Sequence, residues 1–386
     1  EDLRIIYQVF DINEIMLTKI ERGHEDFDVV CPSEYIIERM LRKDLLLPID
    51  RNFGHTPDYI PNVSPYIRHE LNKTSQPERQ TEDYAVPYMW GTAGILFNKK
   101  FITAEEAGTW DILWDSKNRG KILMKDSYRD AYGTAIIYAH ARELADSTVT
   151  VEQLMNDNSP QAIALAEQRL KEMKPNIAGW EADFGKEMMT KNKAWINFTW
   201  SGDAVWAIEE ADAVGVELDY TVPCEGSNIW YDGWVIPKYA GNPKAAAYFI
   251  NYLCRPDIAL RNMDAIGYVS AVATPEIMEA KRDTAIATRS DLSYFFGEGV
   301  GADSLQINPV QYPDRKVVER CAMIRDFGNR TELVLEMWSR VKGDNLNTGI
   351  VLLIFSVFGV LFVWLVYGKI RKYRQKQRRH RRRRRR

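Results

Sequence analysis

The sequence predicts a two-lobed α/β fold, and three observations lead there. Strand-like and helix-like segments alternate along most of the chain. Two aromatic, extended runs, around residues 86–98 and 220–237, read as crossings between lobes. Candidate ligand-binding residues fall in loops on both sides of those crossings, as a cleft requires. On this reading residues 1–98 and 223–342 form lobe 1 and residues 99–222 form lobe 2.

In chain order, Leu3–Phe10 is β-branched and aromatic, and residues 11–22 place Ile15, Met16 and Ile20 at helical spacing. Phe27–Cys31 is a short apolar strand, which completes a βαβ unit. Pro32-Ser33-Glu34-Tyr35 then opens a helical stretch over residues 36–47. Ligands of parallel sheets bind beyond the C-terminal ends of strands, so Ser33 and Tyr35 are candidates by position. Ser33 reads equally as a helix N-cap. Residues 54–85 are polar, with scattered Pro, Asn and His, and read as a long surface connection. Val86–Asn98 is the first crossing. In Met124–Gly133, Ser127 and Asp130 fit an S-x-x-D helix start, and Asp130 is also a candidate cation ligand. Residues 135–192 look helical with a break near Pro160, Trp195–Trp200 looks like a strand, and residues 202–213 like a helix. Leu218–Val222 is a strand leading into the second crossing; residues 242–253 and 256–266 are amphipathic helices, 284–314 give a weak signal, and 315–342 look helical.

Between Thr199 and Tyr268 aromatic residues sit beside carboxylates in loops, where a core needs neither: T-W-S-G-D at 199–203, E-G-S-N-I-W-Y-D-G-W at 225–234, and G-Y at 267–268. Trp230 and Asp232 are two apart, so an extended backbone points both to one side. A ring face beside a carboxylate suits an organic cation, through cation–π attraction and a charge-assisted hydrogen bond. The same residues also fit a plainer reading, Trp as core and Asp232 as a turn cap.

The 386 residues carry 51 Lys and Arg against 54 Asp and Glu, a net charge of −3. Thirteen of the basic residues lie in 369–386, which has no acid, leaving a body with 38 basic and 54 acidic residues, −16. An acidic body fits a cationic ligand. Residues 349–368 are uncharged and apolar, 20 residues or about 30 Å as a helix, enough to span a bilayer. The sequence thus predicts a linker at 343–348, a transmembrane helix at 349–368, and a basic cytoplasmic tail at 369–386 that leaves the large domain outside the membrane. A spanning helix beside the basic run accounts for its charge without a nucleic-acid partner. Cys31, Cys224, Cys254 and Cys321 lack C-x-x-C spacing and make no disulfide scaffold; one bridge is open.

An enzyme is the weaker reading. Cys31 is the only tempting nucleophile, and His24, His55, His69, His140 and His380 form no motif around it. No H-E-x-x-H and no Cys/His pair at ligand spacing point to a metal, so no catalytic residue, metal or cofactor is assigned.

Taken together, F-D-V-V-C-P-S-E-Y, V-P-Y-M-W-G-T, D-S-Y-R-D, W-S-G-D, E-G-S-N-I-W-Y-D-G-W-V-I-P-K, N-Y-L-C-R-P-D-I-A and I-G-Y resemble the spermidine/putrescine-binding proteins of bacterial ABC importers, the PotD type. The resemblance runs from Glu1 to about Lys342. It implies a type II periplasmic-binding-protein fold with a polyamine, putrescine or spermidine, in the cleft between the lobes. Its partners would be an ABC permease with its cytoplasmic ATPase. The implied site is Ser33, Tyr35, Asp130, Trp200, Trp230, Asp232 and Tyr268, with Asp130 and Asp232 on ammonium groups and the rings facing the methylene chain. The family begins one strand earlier, so residues upstream of Glu1 are expected. Ser127 stands where some members have an acid and Ile324 where some have Gln, which removes polar contacts and leaves the length of the polyamine open. Its members are usually free in the periplasm or lipid-anchored at the N-terminus, so the C-terminal helix departs from the family and admits a second role, a membrane-tethered polyamine sensor.

Overall fold

The computed structural model describes residues 4–343 except 11, 24, 26 and 183, together with 355–358, 364 and 367. It divides into two units, Glu1–Leu335 and Glu336–Arg386. The first holds every strand described below.

Its organising element is a 14-residue strand. The strands are β1 (Leu46–Leu47), β2 (Ala85–Asn98), β3 (Ile122–Lys125), β4 (Ile177–Glu181), β5 (Ile196–Trp200), β6 (Leu218–Thr221), β7 (Ile229–Pro237) and β8 (Val269–Ser270). The sheet runs β1-β7-β2-β5-β3-β4, with β6 and β8 also on β2. The first part of β2 pairs with β7, from Ala85 opposite Val235 to Thr92 opposite Ile229, and with β8 at Met89 and Trp90. From Ala93 onward it pairs with β5 and β6 instead. All these ladders are antiparallel; β3 lies parallel to β4 and β5. A 14-residue strand buried almost throughout reads as the near-continuous apolar run V-P-Y-M-W-G-T-A-G-I-L-F, and Pro87 falls at the register shift before Met89, where a missing N–H does least harm.

Separate cores form on either side of the exchange. One gathers Ile36, Ile37, Met40, Ile67, Trp90, Tyr231, Val235, Ile250 and Phe295. The other gathers Leu96, Leu123, Met189, Ala204, Ala207 and Leu218.

The helix Glu34–Arg42 is fixed to the segment 325–331 by buried charges. Glu38 accepts from Arg325 at 2.7 and 3.0 Å and from the Asp326 backbone N–H at 2.9 Å. Asp326, its side chain fully buried, accepts from Arg39 at 2.6 Å and also from Arg42. Burial pushes the Asp326 carboxyl up, but the hydrogen bonds and charges of Arg39 and Arg42 outweigh it and hold the group below its usual range.

Several expectations need correcting. Residues 4–10 form no ladder with any described strand and lie exposed, Ile6 at 77%: β-branched composition makes no strand without a partner edge. Of Phe27–Cys31 only Val30 pairs, as an isolated bridge to Val235. The polar connection 54–85 contains the helices Pro65–Asn72 and Thr81–Tyr84. Strand β4 lies inside the run expected to be helical, which Pro175 and Gly179 interrupt. Residues 315–342 are not one helix: Arg315–Val318 and Thr331–Gly343 are helical, with the charge-anchoring segment between them. The four cysteines are free.

The expected transmembrane helix is also corrected: no described helix is long and apolar enough to cross a membrane. The longest, Pro160–Met173, has 14 residues, about 21 Å against the roughly 30 Å needed. Thr331–Gly343 is shorter and carries Glu332, Arg340 and Lys342. Of 349–368 only 355–358, 364 and 367 are described; the rest, the remainder of the linker and the tail 369–386 lie outside the described residues.

Replacing Asp326 with Asn leaves two buried-side guanidinium contacts without their counter-charge. Urea unfolding at pH 7 is expected to show a loss of about 1–3 kcal/mol, since Arg42 is 41% exposed and stays solvated, shrinking below pH ~4 as the wild-type carboxylate itself protonates. A loss under about 1 kcal/mol at pH 7 would show that this anchor does not hold the helix.

Candidate functional site

All seven candidate residues converge on the place where β2 exchanges partners. Ser33 occupies the N-cap position of Glu34–Arg42, but its side chain makes no cap hydrogen bond. Its hydroxyl instead donates to Asp232 Oδ1 at 2.7 Å, across an isolated bridge that joins the two backbones. Asn13 donates to both Ser33 Oγ, at 3.1 Å, and the Tyr35 hydroxyl, at 3.2 Å. Asp232 and Trp230 alternate along β7 as extended spacing requires, and the Trp230 ring meets Tyr268 edge-on, with centroids 5.3 Å apart.

Asp130 lies in the first turn of the helix Tyr128–Ala139. Ser127 caps that helix by accepting from the Asp130 N–H at 3.3 Å, which frees the Asp130 carboxylate for the site. It accepts from Asn228 at 3.0 Å and from the Trp200 indole N–H at 3.4 Å. Trp200 ends β5 and precedes the helix Ser201–Asp212. Two glycines permit the close approach. A Cβ on Gly91 would lie 2.5 Å from Ser201 Oγ and 2.7 Å from the Trp230 ring, and one on Gly202 would lie 2.2 Å from the Tyr268 ring.

The electrostatics are those of desolvated acids. Burial pushes the Asp232 carboxyl up to about 6, against the opposing hydrogen bond from Ser33. Burial also raises Asp130, against the hydrogen bonds from Ser127, Asn228 and Trp200 and the charge of Lys125. Neither carboxylate is paired with a Lys or Arg among the described residues. Asn228 Oδ1 and Trp230 Nε1 are buried without a hydrogen-bond partner, leaving an acceptor beside Asp130 and a donor in the ring wall. The unpaired carboxylates and the Asn228 acceptor favour an incoming cation, which would supply the missing charge. Cys31, whose thiol burial and the Asp232 charge push well up, is a poor nucleophile. Among the described residues no group of three or more His, Cys, Asp or Glu is placed to hold a metal ion.

Other residues enter the site without having been singled out in the sequence. Glu34 is 1% exposed and accepts from the Tyr231 N–H at 2.9 Å. Burial raises it well above the usual carboxylate range, reinforced by the charges of Asp232 and Asp130. Its only sequence signal is its place in P-S-E-Y. Arg129 is 3% exposed and lies 4.0 Å over the Tyr35 ring and 3.8 Å from Glu14. Lys125 closes β3 and is buried against Glu181 and Asp203. A cavity of about 260 Å³ lined by Arg51, Arg68, Thr81 and Glu82 lies elsewhere, and no candidate residue borders it.

An unfolded Asp titrates near 4 and the folded Asp232 near 6, so folding takes up a proton between those values and stability falls as pH rises across them. Asp232→Asn keeps an acceptor for Ser33 and removes the charge. It is expected to raise the unfolding free energy of the ligand-free protein by about 1–3 kcal/mol at pH 7.5 and to leave it little changed at pH 4. Chemical denaturation at the two pH values checks this; equal effects at both would contradict the burial of an ionising carboxyl.

The model of bacterial extracellular solute-binding proteins matches residues 5–288. The spermidine/putrescine-binding periplasmic protein of Escherichia coli (strain K12) is 26% identical over 341 residues, 88% of this chain and 84% of its own length. The putrescine-binding periplasmic protein PotF of the same organism is 28% identical over 293 residues, 73% of this chain and 75% of its own. Among solved structures, the spermidine/putrescine ABC transporter substrate-binding protein PotD from Streptococcus pneumoniae, crystallised with calcium and HEPES, aligns with TM-score 0.65 and 27% identity, covering 87% of this chain and 90% of that one. The type II periplasmic-binding fold agrees with these neighbours, and the chain belongs to the bacterial extracellular solute-binding proteins.

Proposed function

We propose that this solute-binding protein captures a polyamine outside the cytoplasmic membrane and delivers it to an ABC permease driven by a cytoplasmic ATPase. The observation that carries the reading is the pair of buried carboxylates, Asp232 and Asp130, without a basic partner among the described residues, next to the Trp230 and Tyr268 rings. The names of the relatives support the ligand class.

A polyamine presents ammonium groups joined by methylenes. One ammonium would hydrogen-bond Asp232 beside Ser33, and another Asp130 beside Asn228 Oδ1. The methylenes would lie against Trp230, Tyr268 and the edge of Trp200. Tyr35 would shape the wall behind Ser33. Residues 99–222 would act as one lobe and the flanking parts of residues 1–335 as the other, with closure bending the shared strand β2 and the connection 222–228 between β6 and β7. Capture and release need no bond making or breaking, so no catalytic residue is assigned.

Calorimetric titration with putrescine, spermidine, cadaverine and arginine tests the reading. At least one of the polyamines is expected to bind, with Asp232→Ala weakening it by about 1.5–3 kcal/mol, roughly ten- to a hundredfold. Binding of none of them, or of arginine alone, would overturn it. The wild-type affinity is also expected to weaken between pH 7 and pH 5, because protons compete with the ligand for a carboxylate that titrates near 6.

A further inference from the structure

Two of the aromatic faces in the site already hold a cation from the protein itself. Lys125 ends β3, whose neighbours β4 and β5 bury it to 1% exposure. Its ammonium lies 2.8 Å from Asp203 Oδ2, 3.2 Å from Glu181 Oε1 and 2.8 Å from the Ala182 carbonyl, so its three N–H donors have three acceptors. It also stands 4.7 Å from the centroid of the Trp200 ring. Arg129 does the same on the other side, 4.0 Å over Tyr35.

An ammonium buried between two carboxylates is weak evidence for stability, because desolvation offsets most of the attraction. Its position says more. Asp203, which holds Lys125, follows Gly202, and Gly202 is pressed against the Tyr268 ring; Trp200, which Lys125 covers, bonds to Asp130. The internal ammonium therefore stands over a candidate site ring, beside Asp203 and Glu181. Lys186 also reaches Asp203, at 3.5 Å. Among the described residues, Trp230 and Tyr268 are the site rings with no protein cation over them, and Asp130, Asp232 and Glu34 the site carboxylates with no basic partner, Glu34 already accepting from the Tyr231 N–H.

Resting on the polyamine reading above, we infer that Lys125 fills the seat a third ammonium would need, so that the cleft selects a diamine over a triamine. A diamine matches Asp130 and Asp232, because Glu34 is already engaged by the Tyr231 N–H at 2.9 Å. A triamine would have to leave one ammonium desolvated without a partner, or displace Lys125 from Asp203 and Glu181.

The test titrates the protein with putrescine and spermidine at one pH and ionic strength. Wild type is expected to bind putrescine about tenfold or more tightly than spermidine, the cost of one unmatched ammonium. Lys125→Met with Glu181→Gln removes one charge of each sign, keeps the net charge and takes Lys125 off Asp203, which retains Lys186 at 3.5 Å, and is expected to narrow the ratio about tenfold in favour of spermidine. A wild type that binds spermidine as tightly as putrescine overturns the inference while leaving the polyamine reading standing. So does a folded double variant, checked by circular dichroism and melting, with an unchanged ratio. If the variant does not fold, the wild-type ratio decides alone. Binding of neither ligand defeats the polyamine reading and this inference with it.

Discussion

The exchange of partners along β2 is the constraint on which the rest of the structure depends. One strand cannot satisfy the backbone of two separately cored halves unless its ladder passes from one set of strands to another, and β2 does so between Thr92 and Ala93. At that step the chain must also let Trp230 and Ser201 approach, and Gly91 is the residue without a Cβ to obstruct them. The candidate side chains gather there, Ser33 and Tyr268 from one half and Asp130 and Trp200 from the other. This is the same logic by which ligands bind at the switch points of open α/β sheets.

Charge satisfaction separates the frame from the site. Glu38, Arg325, Arg39 and Asp326 pair closely, and they hold the helix that presents Ser33, Glu34 and Tyr35. At the site the rule is relaxed. Asp232, Asp130 and Glu34 are buried acids raised above their ordinary range, and Asn228 Oδ1 has no partner. Departures from polar satisfaction of this kind are where function concentrates. The stability forgone by ligand-free Asp232 at neutral pH is the affinity available to a cation that pairs with it.

The sequence made much of this legible because the relevant signals are local. The apolar run of β2, the Pro-initiated helix Pro256–Ile266 and the i, i+2 pair Trp230 and Asp232 depend on neighbours in the chain. In the sequence Ser33 reads equally as cap or ligand, and only the fold shows its hydroxyl leaving the cap for Asp232, 199 residues away. Lys125 gave no usable sign for the same reason: its partner Asp203 lies on a distant helix, and a lysine closing an apolar strand ordinarily reaches solvent. The residues from 4 to 10 have strand composition without a partner, and β4 is a strand inside a helical pattern; pairing, which composition does not encode, decided both. The apolar segment near the C-terminus met a length criterion in the sequence that no described helix meets.

The most direct test of the central claim is a crystal structure of the protein grown with putrescine. One ammonium nitrogen is expected within about 2.7–3.2 Å of the Asp232 carboxylate, with the methylenes against Trp230 and Tyr268. Putrescine bound away from Asp232, or a site left without it at saturating concentration, would contradict the assignment of these buried carboxylates to cation capture.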